Sequence, residues 1–182
     1  MSKEKVILGI DPGTNIMGYG VLCVNGSKLT SPSLGIVQIK TADYGLKLKI
    51  IFERTSQLIE EYKPDEFAVE APFYGKNVQS MLKLGRAQGV AMAAALMKEI
   101  PIAEYSPRKI KQSITGNGAA SKEQVASMIK TLVSLETLPK HLDATDGLAA
   151  AICHHFQTSN TIPTGGKGGW ESFIKKNPGR IR

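Results

Sequence analysis

Val6-Ile7-Leu8-Gly9-Ile10-Asp11-Pro12-Gly13-Thr14 is the stretch around which the chain is organised. Its apolar run, Val6 to Ile10, ends in a carboxylate and a Pro-Gly turn, the pattern of a buried strand. Asp11 therefore sits where a central strand stops and the chain leaves the sheet. That edge is where open α/β sheets place their ligands. Taken alone, Asp11 is equally well explained by turn chemistry. Its company from far along the chain changes the reading. Glu70 ends a second apolar run, and Asp143 and Asp146 open a late helix. Four carboxylates from three distant segments point to a metal site.

The rest of the pattern sets those segments in a mixed sheet. Gly18 to Val24 reads as a second strand, Asn25-Gly26 as a hairpin turn, and Lys28 to Lys40 as a third, antiparallel strand. A helix is predicted over Leu46 to Tyr62, with Leu48, Ile51, Leu58 and Ile59 on one face. Phe67-Ala68-Val69-Glu70 is a fourth strand and Ile102-Ala103-Glu104-Tyr105 a fifth. Between them Asn77 to Met97 forms a long helix rich in small residues. Gly85 and Gly89 lower its propensity by about 1 kcal/mol each relative to Ala. They imply a close approach to another element, either the sheet or the same helix of a second subunit. Ser106-Pro107 opens a short basic helix, Ser121 caps a helix over Lys122 to Leu132, and the last helix starts near Asp143. Its Leu148, Ala149, Ile152 and Cys153 are predicted to face the core. Three consecutive strands, then alternating helix and strand, then helices describe a mixed α/β sheet of the ribonuclease H type. Residues 1–156 are expected to form that domain, and 157–182 a Gly-rich basic tail.

At 182 residues with 42% apolar and 21% charged residues, the chain fits one globular domain burying about two thirds of its unfolded surface. Cys23 and Cys153 lie in apolar stretches without metal-ligand spacing, so both read as small core residues rather than a disulfide. No apolar run approaches the roughly 20 residues of a membrane span, and the charged start MSKEK does not resemble a signal peptide. A soluble, cytoplasmic protein is expected. The formal net charge is +7, and its distribution is informative. No acid occurs between Glu70 and Glu99, whereas Lys76, Lys83, Arg86 and Lys98 do. Arg108, Lys109 and Lys111 form another basic stretch, followed by Lys122. Basic clusters flanking a group of acids are expected where acids hold divalent cations and bases hold phosphates.

Asp11, Glu70, Asp143 and Asp146 supply oxygen ligands only, which suit Mg²⁺ or Mn²⁺ rather than zinc. Packed together without cations, they would repel and raise one another's pKa. Two metals would relieve that and clamp the attacking and leaving oxygens of an in-line phosphoryl displacement. Each acid also has a plainer reading, Asp143 as an N-cap, Asp146 as a helix-dipole partner, and Glu70 as a surface acid before a Pro turn.

Gly9-Ile10-Asp11-Pro12-Gly13-Thr14, Val69-Glu70, Leu82-Lys83-Leu84-Gly85 and Asp143-Ala144-Thr145-Asp146-Gly147-Leu148-Ala149 together resemble the RuvC crossover-junction endonucleases. The similarity extends to Tyr105 to Gln112, Gly116-Asn117-Gly118, Lys122 and the order of all elements. This resemblance implies a ribonuclease H-like fold, a homodimer, and symmetric nicking of a four-way DNA junction with Mg²⁺ or Mn²⁺. It implies Asp11, Glu70, Asp143 and Asp146 as metal-holding catalytic acids, with Lys111 and Lys122 near the scissile phosphate. Phe73 takes the position of an aromatic that stacks on an unpaired base at the crossover, with Tyr74 beside it. Lys76, Lys83, Arg86, Arg108 and Lys109 would grip flanking backbone. A branch-migration motor is implied as a partner. Two other readings stay open. One is a non-catalytic junction binder. The other is an actin-like or sugar-kinase ATPase, whose phosphate loop Asp-Pro-Gly-Thr also resembles, although 182 residues scarcely hold the two domains that group requires.

Overall fold

The computed structural model describes residues 4–72 and 77–159. Five strands, β1 (Lys5–Asp11), β2 (Ile16–Asn25), β3 (Lys28–Gln38), β4 (Glu66–Glu70) and β5 (Ile102–Tyr105), form one sheet in the order β3-β2-β1-β4-β5. The pairs β1–β2 and β2–β3 are antiparallel, while β1–β4 and β4–β5 are parallel. The helices are α1 (Tyr44–Tyr62), α2 (Val78–Leu96), α3 (Pro107–Thr115), α4 (Lys122–Leu132) and α5 (Asp143–Ser159).

Strand alternation sorts the apolar side chains into two cores. Leu8, Ile10, Phe67 and Val69 pack with Ile51, Leu58 and Ile59 of α1 and Ala87, Ala91, Ala94 and Ala95 of α2. Ile7 and Ala68 face the opposite side, with Ile110 and Ile114 of α3, Val125 and Ile129 of α4, and much of α5. Both faces of β1 are therefore covered, which accounts for its nearly unbroken apolar run. By the same alternation Asp11 and Glu70, at the ends of β1 and β4, project to the face that α3, α4 and α5 cover.

The helix starts follow local chemistry. Asp43, Asn77, Ser106 and Ser121 each accept a hydrogen bond from a backbone N–H of the first turn, and Ser121 with Gln124 completes a capping box. Gly116, at φ +74°, closes α3 in the left-handed region.

Helix α5 lies unusually close to the sheet, and glycines permit it. Gly9 and Gly20 are paired across β1 and β2. A Cβ on Gly9 would stand 2.0 Å from the Gly147 carbonyl oxygen, and one on Gly20 would stand 2.4 Å from Leu148 Cβ. One on Gly147 would meet the Tyr19 backbone at 2.5 Å.

Two expectations change here. Gly85 and Gly89 do not meet the sheet, because a Cβ on either would find nothing within 4 Å among the described residues. The sheet-facing side of α2 is instead made by Ala87, Gln88, Ala91, Ala94 and Ala95. Cys153 is fully buried as expected, but Cys23 is only half-buried, and both are free thiols. Helix α5 continues to Ser159, and the tail beyond it lies outside the described residues. No helix among those described is long and apolar enough to cross a membrane.

Candidate active site

One cavity of about 770 Å³ opens at the carboxyl end of β1 and β4. Asp11 and Glu70 form its floor, Asp146 of α5 lies to one side, and Arg108, Lys111, Gln112, Asn117 and Lys122 make the wall from α3, the loop after it and the start of α4. Gln112 fixes that loop, donating from Nε2 to the Gly116 carbonyl at 2.6 Å and accepting from Gly118 N–H at 3.0 Å.

The helix start puts Asp143 and Asp146 on one face, and Lys122 joins them. Its ammonium donates to Asp143 Oδ1 at 2.8 Å and Asp146 Oδ2 at 2.6 Å. Burial works against the charge on Lys122, but its hydrogen bonds to the two aspartates outweigh that and raise the pKa. On the floor the balance runs the other way. Burial, then the charge of Asp146, lifts Asp11 to about 6, with Lys122 offsetting part of the effect. Glu70 is lifted to about 8 by burial, then by Asp11 and Asp146, against the pull of Lys122 and Lys111. Like charges forced together in a recess retain a proton when no cation balances them.

This donor set, all carboxylate oxygen, is of the type that suits hard divalent cations. Among the described residues, no three Asp, Glu, His or Cys side chains close on a single metal position. The Lys122 ammonium holds the space between Asp143 and Asp146.

The residues singled out from the sequence separate into three groups. Asp11, Glu70, Asp146, Lys111, Lys122 and Arg108 line the cavity, with Asp143 joined to it through Lys122. Lys83 and Arg86 lie on α2, across the sheet from that cavity, where the Arg86 guanidinium is 5.9 Å from the centre of the Tyr44 ring. Lys109 lies outside the cavity lining, its carbonyl 4.0 Å from Cys153 Sγ. Phe73, Tyr74 and Lys76 lie outside the described residues.

Sequence reading missed two supports of the site. Gln88, buried on α2, donates to Glu104 Oε2 at 2.6 Å and approaches the Glu70 carbonyl at 3.4 Å. His154 of α5 bridges the Tyr105 hydroxyl at 2.7 Å and Glu66 Oε2 at 2.6 Å, and Lys5 pairs with the same Glu66 oxygen. A polar residue within an apolar helical face was the available signal for both.

The family model described as crossover junction endodeoxyribonuclease RuvC matches residues 7–154. A RuvC of Bacteroides fragilis is 58% identical over 99% of this chain and 97% of its own length. A RuvC of Christiangramia forsetii is 57% identical over 100% and 95%. Among solved structures, Thermus thermophilus RuvC in complex with a Holliday junction substrate superposes with a TM-score of 0.79 at 29% identity, covering 85% of this chain and 94% of that one. The yeast mitochondrial resolvase Ydc2, at 14% identity and a TM-score of 0.61, shares the fold. A ribonuclease H-like sheet, an acid-floored cavity at its edge and full-length likeness to these nucleases agree, and the chain belongs to the RuvC family of crossover junction endodeoxyribonucleases.

Proposed function

We propose that this chain is a structure-selective endonuclease that resolves four-way DNA junctions by paired nicks in recombination and repair. One observation carries the reading: the recessed carboxylates of Asp11 and Glu70 share a cavity with Asp146 and a rim of cations, and Asp143 is joined to it through Lys122. A structural acid cluster has no need of the lysines, and a simple DNA-binding surface has no need of acids facing phosphate.

Asp11, Glu70, Asp143 and Asp146 would hold divalent cations, Mg²⁺ or Mn²⁺, two per site. Such cations supply positive charge at the attacking and departing oxygens of phosphodiester hydrolysis. The chain's own residues do the rest. Near neutral pH the proton held in the recess is mainly that of Glu70, and Glu70 would have to lose it for all four acids to hold cations. Lys122 offsets one of the two negative charges of Asp143 and Asp146, and would be free to face the phosphate if those carboxylates held cations. Lys111 and Arg108 add charge where the scissile phosphate must lie. Phe73 and Tyr74 serve the crossover bases, and Lys76, Lys83, Arg86 and Lys109 serve flanking backbone.

Symmetric nicking calls for two sites related by a two-fold axis, hence a homodimer. The outward faces of Gly85 and Gly89 on α2, with Val78 and Leu82 exposed beside them, support that helix as the dimer contact. A branch-migration motor would act with the complex in the cytoplasm. The decisive experiment is cleavage of a mobile synthetic junction with Mg²⁺ by the wild type and by Asp11→Asn. Paired nicks that vanish in the variant while binding persists are expected. A wild type that binds junctions yet never cuts, across several sequences and with Mn²⁺, would leave only a binding role.

A further inference from the structure

A second groove, of about 430 Å³, lies around the Asp11–Thr14 turn on the opposite face of the sheet from the acid cavity. Thr14 and Asn15 form one side, Tyr44 and Lys47 of α1 another, and Ser80 and Lys83 of α2 the third. The sequence reading gave none of these but Lys83 a role, and the acid cavity does not use them.

The groove's chemistry is that of a phosphate receiver. Among the described residues, no Asp or Glu lines it. The nearest acid in sequence, Asp43, has one carboxylate oxygen engaged in capping α1 through Leu46 N–H at 2.8 Å. Lys47 reaches across to Asn15 Oδ1 at 2.5 Å, a neutral partner that orients the ammonium without cancelling its charge. Among the described residues, neither Lys47 nor Lys83 is in a salt bridge. The Tyr44 hydroxyl donates to the Lys83 carbonyl at 2.9 Å, and the ring carries Arg86 at 5.9 Å. This ties the start of α1 to the second turn of α2 and fixes the spacing of the two lysines. Hydroxyls of Thr14 and Ser80 add neutral donors.

We infer that this groove binds backbone phosphates of the DNA strand within about three nucleotides of the scissile phosphate, with Lys47, held by Asn15, as its principal contact. The spacing follows from the chain. Thr14 is three residues from Asp11, at most about 11 Å of backbone, and a duplex strand advances about 3.4 Å per nucleotide. The turn thus links the two faces, and one strand crossing the sheet edge would meet the acids on one side and Lys47 and Lys83 on the other. The inference rests on the chain being a junction nuclease, and it assigns a contact outside that nuclease's catalytic cavity.

The test is junction binding by the full chain in metal-free buffer, followed by fluorescence anisotropy over a salt series. The variants are Lys47→Ala, Lys47→Arg, Asn15→Ala and Lys49→Ala. Lys49 is on the same helix, exposed and paired with Glu53, and controls for net charge. A phosphate contact contributes about 0.9 to the slope of log affinity against log salt, so the advantage of wild type over Lys47→Ala should shrink about 3.5-fold between roughly 50 and 200 mM salt. Lys47→Arg should keep the wild-type slope, Asn15→Ala should fall between, and Lys49→Ala should match wild type, all with unchanged Tm. An unchanged slope in Lys47→Ala, or an equal loss in Lys49→Ala, overturns the assignment while leaving the nuclease reading intact. ATP displacing the junction from wild type but not from Lys47→Ala would assign the groove to a free nucleotide and overturn it too. A wild type that binds no junction would sink both readings.

Discussion

Replacing Gly20 with Ala should damage catalysis from a position that touches no substrate. The added Cβ would stand 2.4 Å from Leu148 Cβ and 2.5 Å from Leu148 Cα, against 3.4–4 Å for ordinary contact. The obstacles are a helix backbone and its first side-chain atom, neither of which can rotate away. Relief requires α5 and the sheet to part by about 1 Å at this level, and overpacking of that kind costs about 1–3 kcal/mol. Leu148 is two residues beyond Asp146 and five beyond Asp143 on the same helix, so their carboxylates move with it relative to Asp11. A displacement of about 1 Å in a catalytic constellation lowers the rate roughly 100-fold. The assay pairs chemical denaturation with single-turnover junction cleavage. The expected variant folds, binds junctions as the wild type does, and cleaves them far more slowly. A Gly20→Ala protein cleaving within twofold of wild type would refute the claim that helix seating sets the acid geometry.

Other expectations concern charge and the helices around the site. Asp11 and Glu70 titrate well above their ordinary 3.8 and 4.5, at about 6 and about 8, so the folded state binds more protons than the unfolded between those values. Metal-free stability should therefore fall as pH rises from about 4 through about 8, and Asp11→Asn should raise the metal-free Tm at the alkaline end. For the same reason Mg²⁺ binding near neutral pH should release about one proton, mostly from Glu70, which calorimetry in buffers of different ionisation enthalpy measures; no release would count against the retained proton. Lys122→Met removes a competitor for Asp143 and Asp146 worth about 1 kcal/mol, so Mn²⁺ affinity should rise about fivefold while cleavage falls. Gly89→Ala places a methyl in open space and should stabilise the isolated fold by about 0.5–1 kcal/mol. Weaker self-association in sedimentation would place α2 at the dimer contact.

Much of the fold was legible because its signals are local. Strand β5 and helix α4 have the bounds that turn chemistry and the Ser121 cap mark out. The acids were legible for a different reason, since Asp11 and Glu70 end apolar runs and strand polarity places both at one sheet edge. What escaped reading depends on which face of an element is covered. Gly85 and Gly89 look like close-packing residues, yet α2 turns its alanines to the sheet. The glycines that permit close packing are Gly9, Gly20 and Gly147, and only the pairing of Gly9 with Gly20 reveals them as one platform. Lys47 escaped because a lysine on an amphipathic helix is ordinarily solvated, and only the tertiary approach of Asn15 distinguishes it.

That asymmetry has a physical basis. In the proposed reaction the four acids must be charged at the moment of cleavage, and Asp11 and Glu70 are recessed, so the fold has to oppose their repulsion largely with rigid backbone. Helix α5 meets this need by backbone contact with β1 and β2, which leaves no side chain to absorb error. Lys122 supplies the adjustable part, a cation on a flexible stem bound to the two acids nearest the cavity mouth. The backbones that carry all four acids are thus held rigidly, and the exchangeable part is the Lys122 side chain between Asp143 and Asp146. It follows that substitutions in the glycine platform should lower the rate at saturating metal, whereas substitutions at Lys122 should shift the metal concentration at which cleavage begins. A metal titration of Gly20→Ala and Lys122→Met side by side separates the two, and a midpoint shift confined to Gly20→Ala would reverse the assignment.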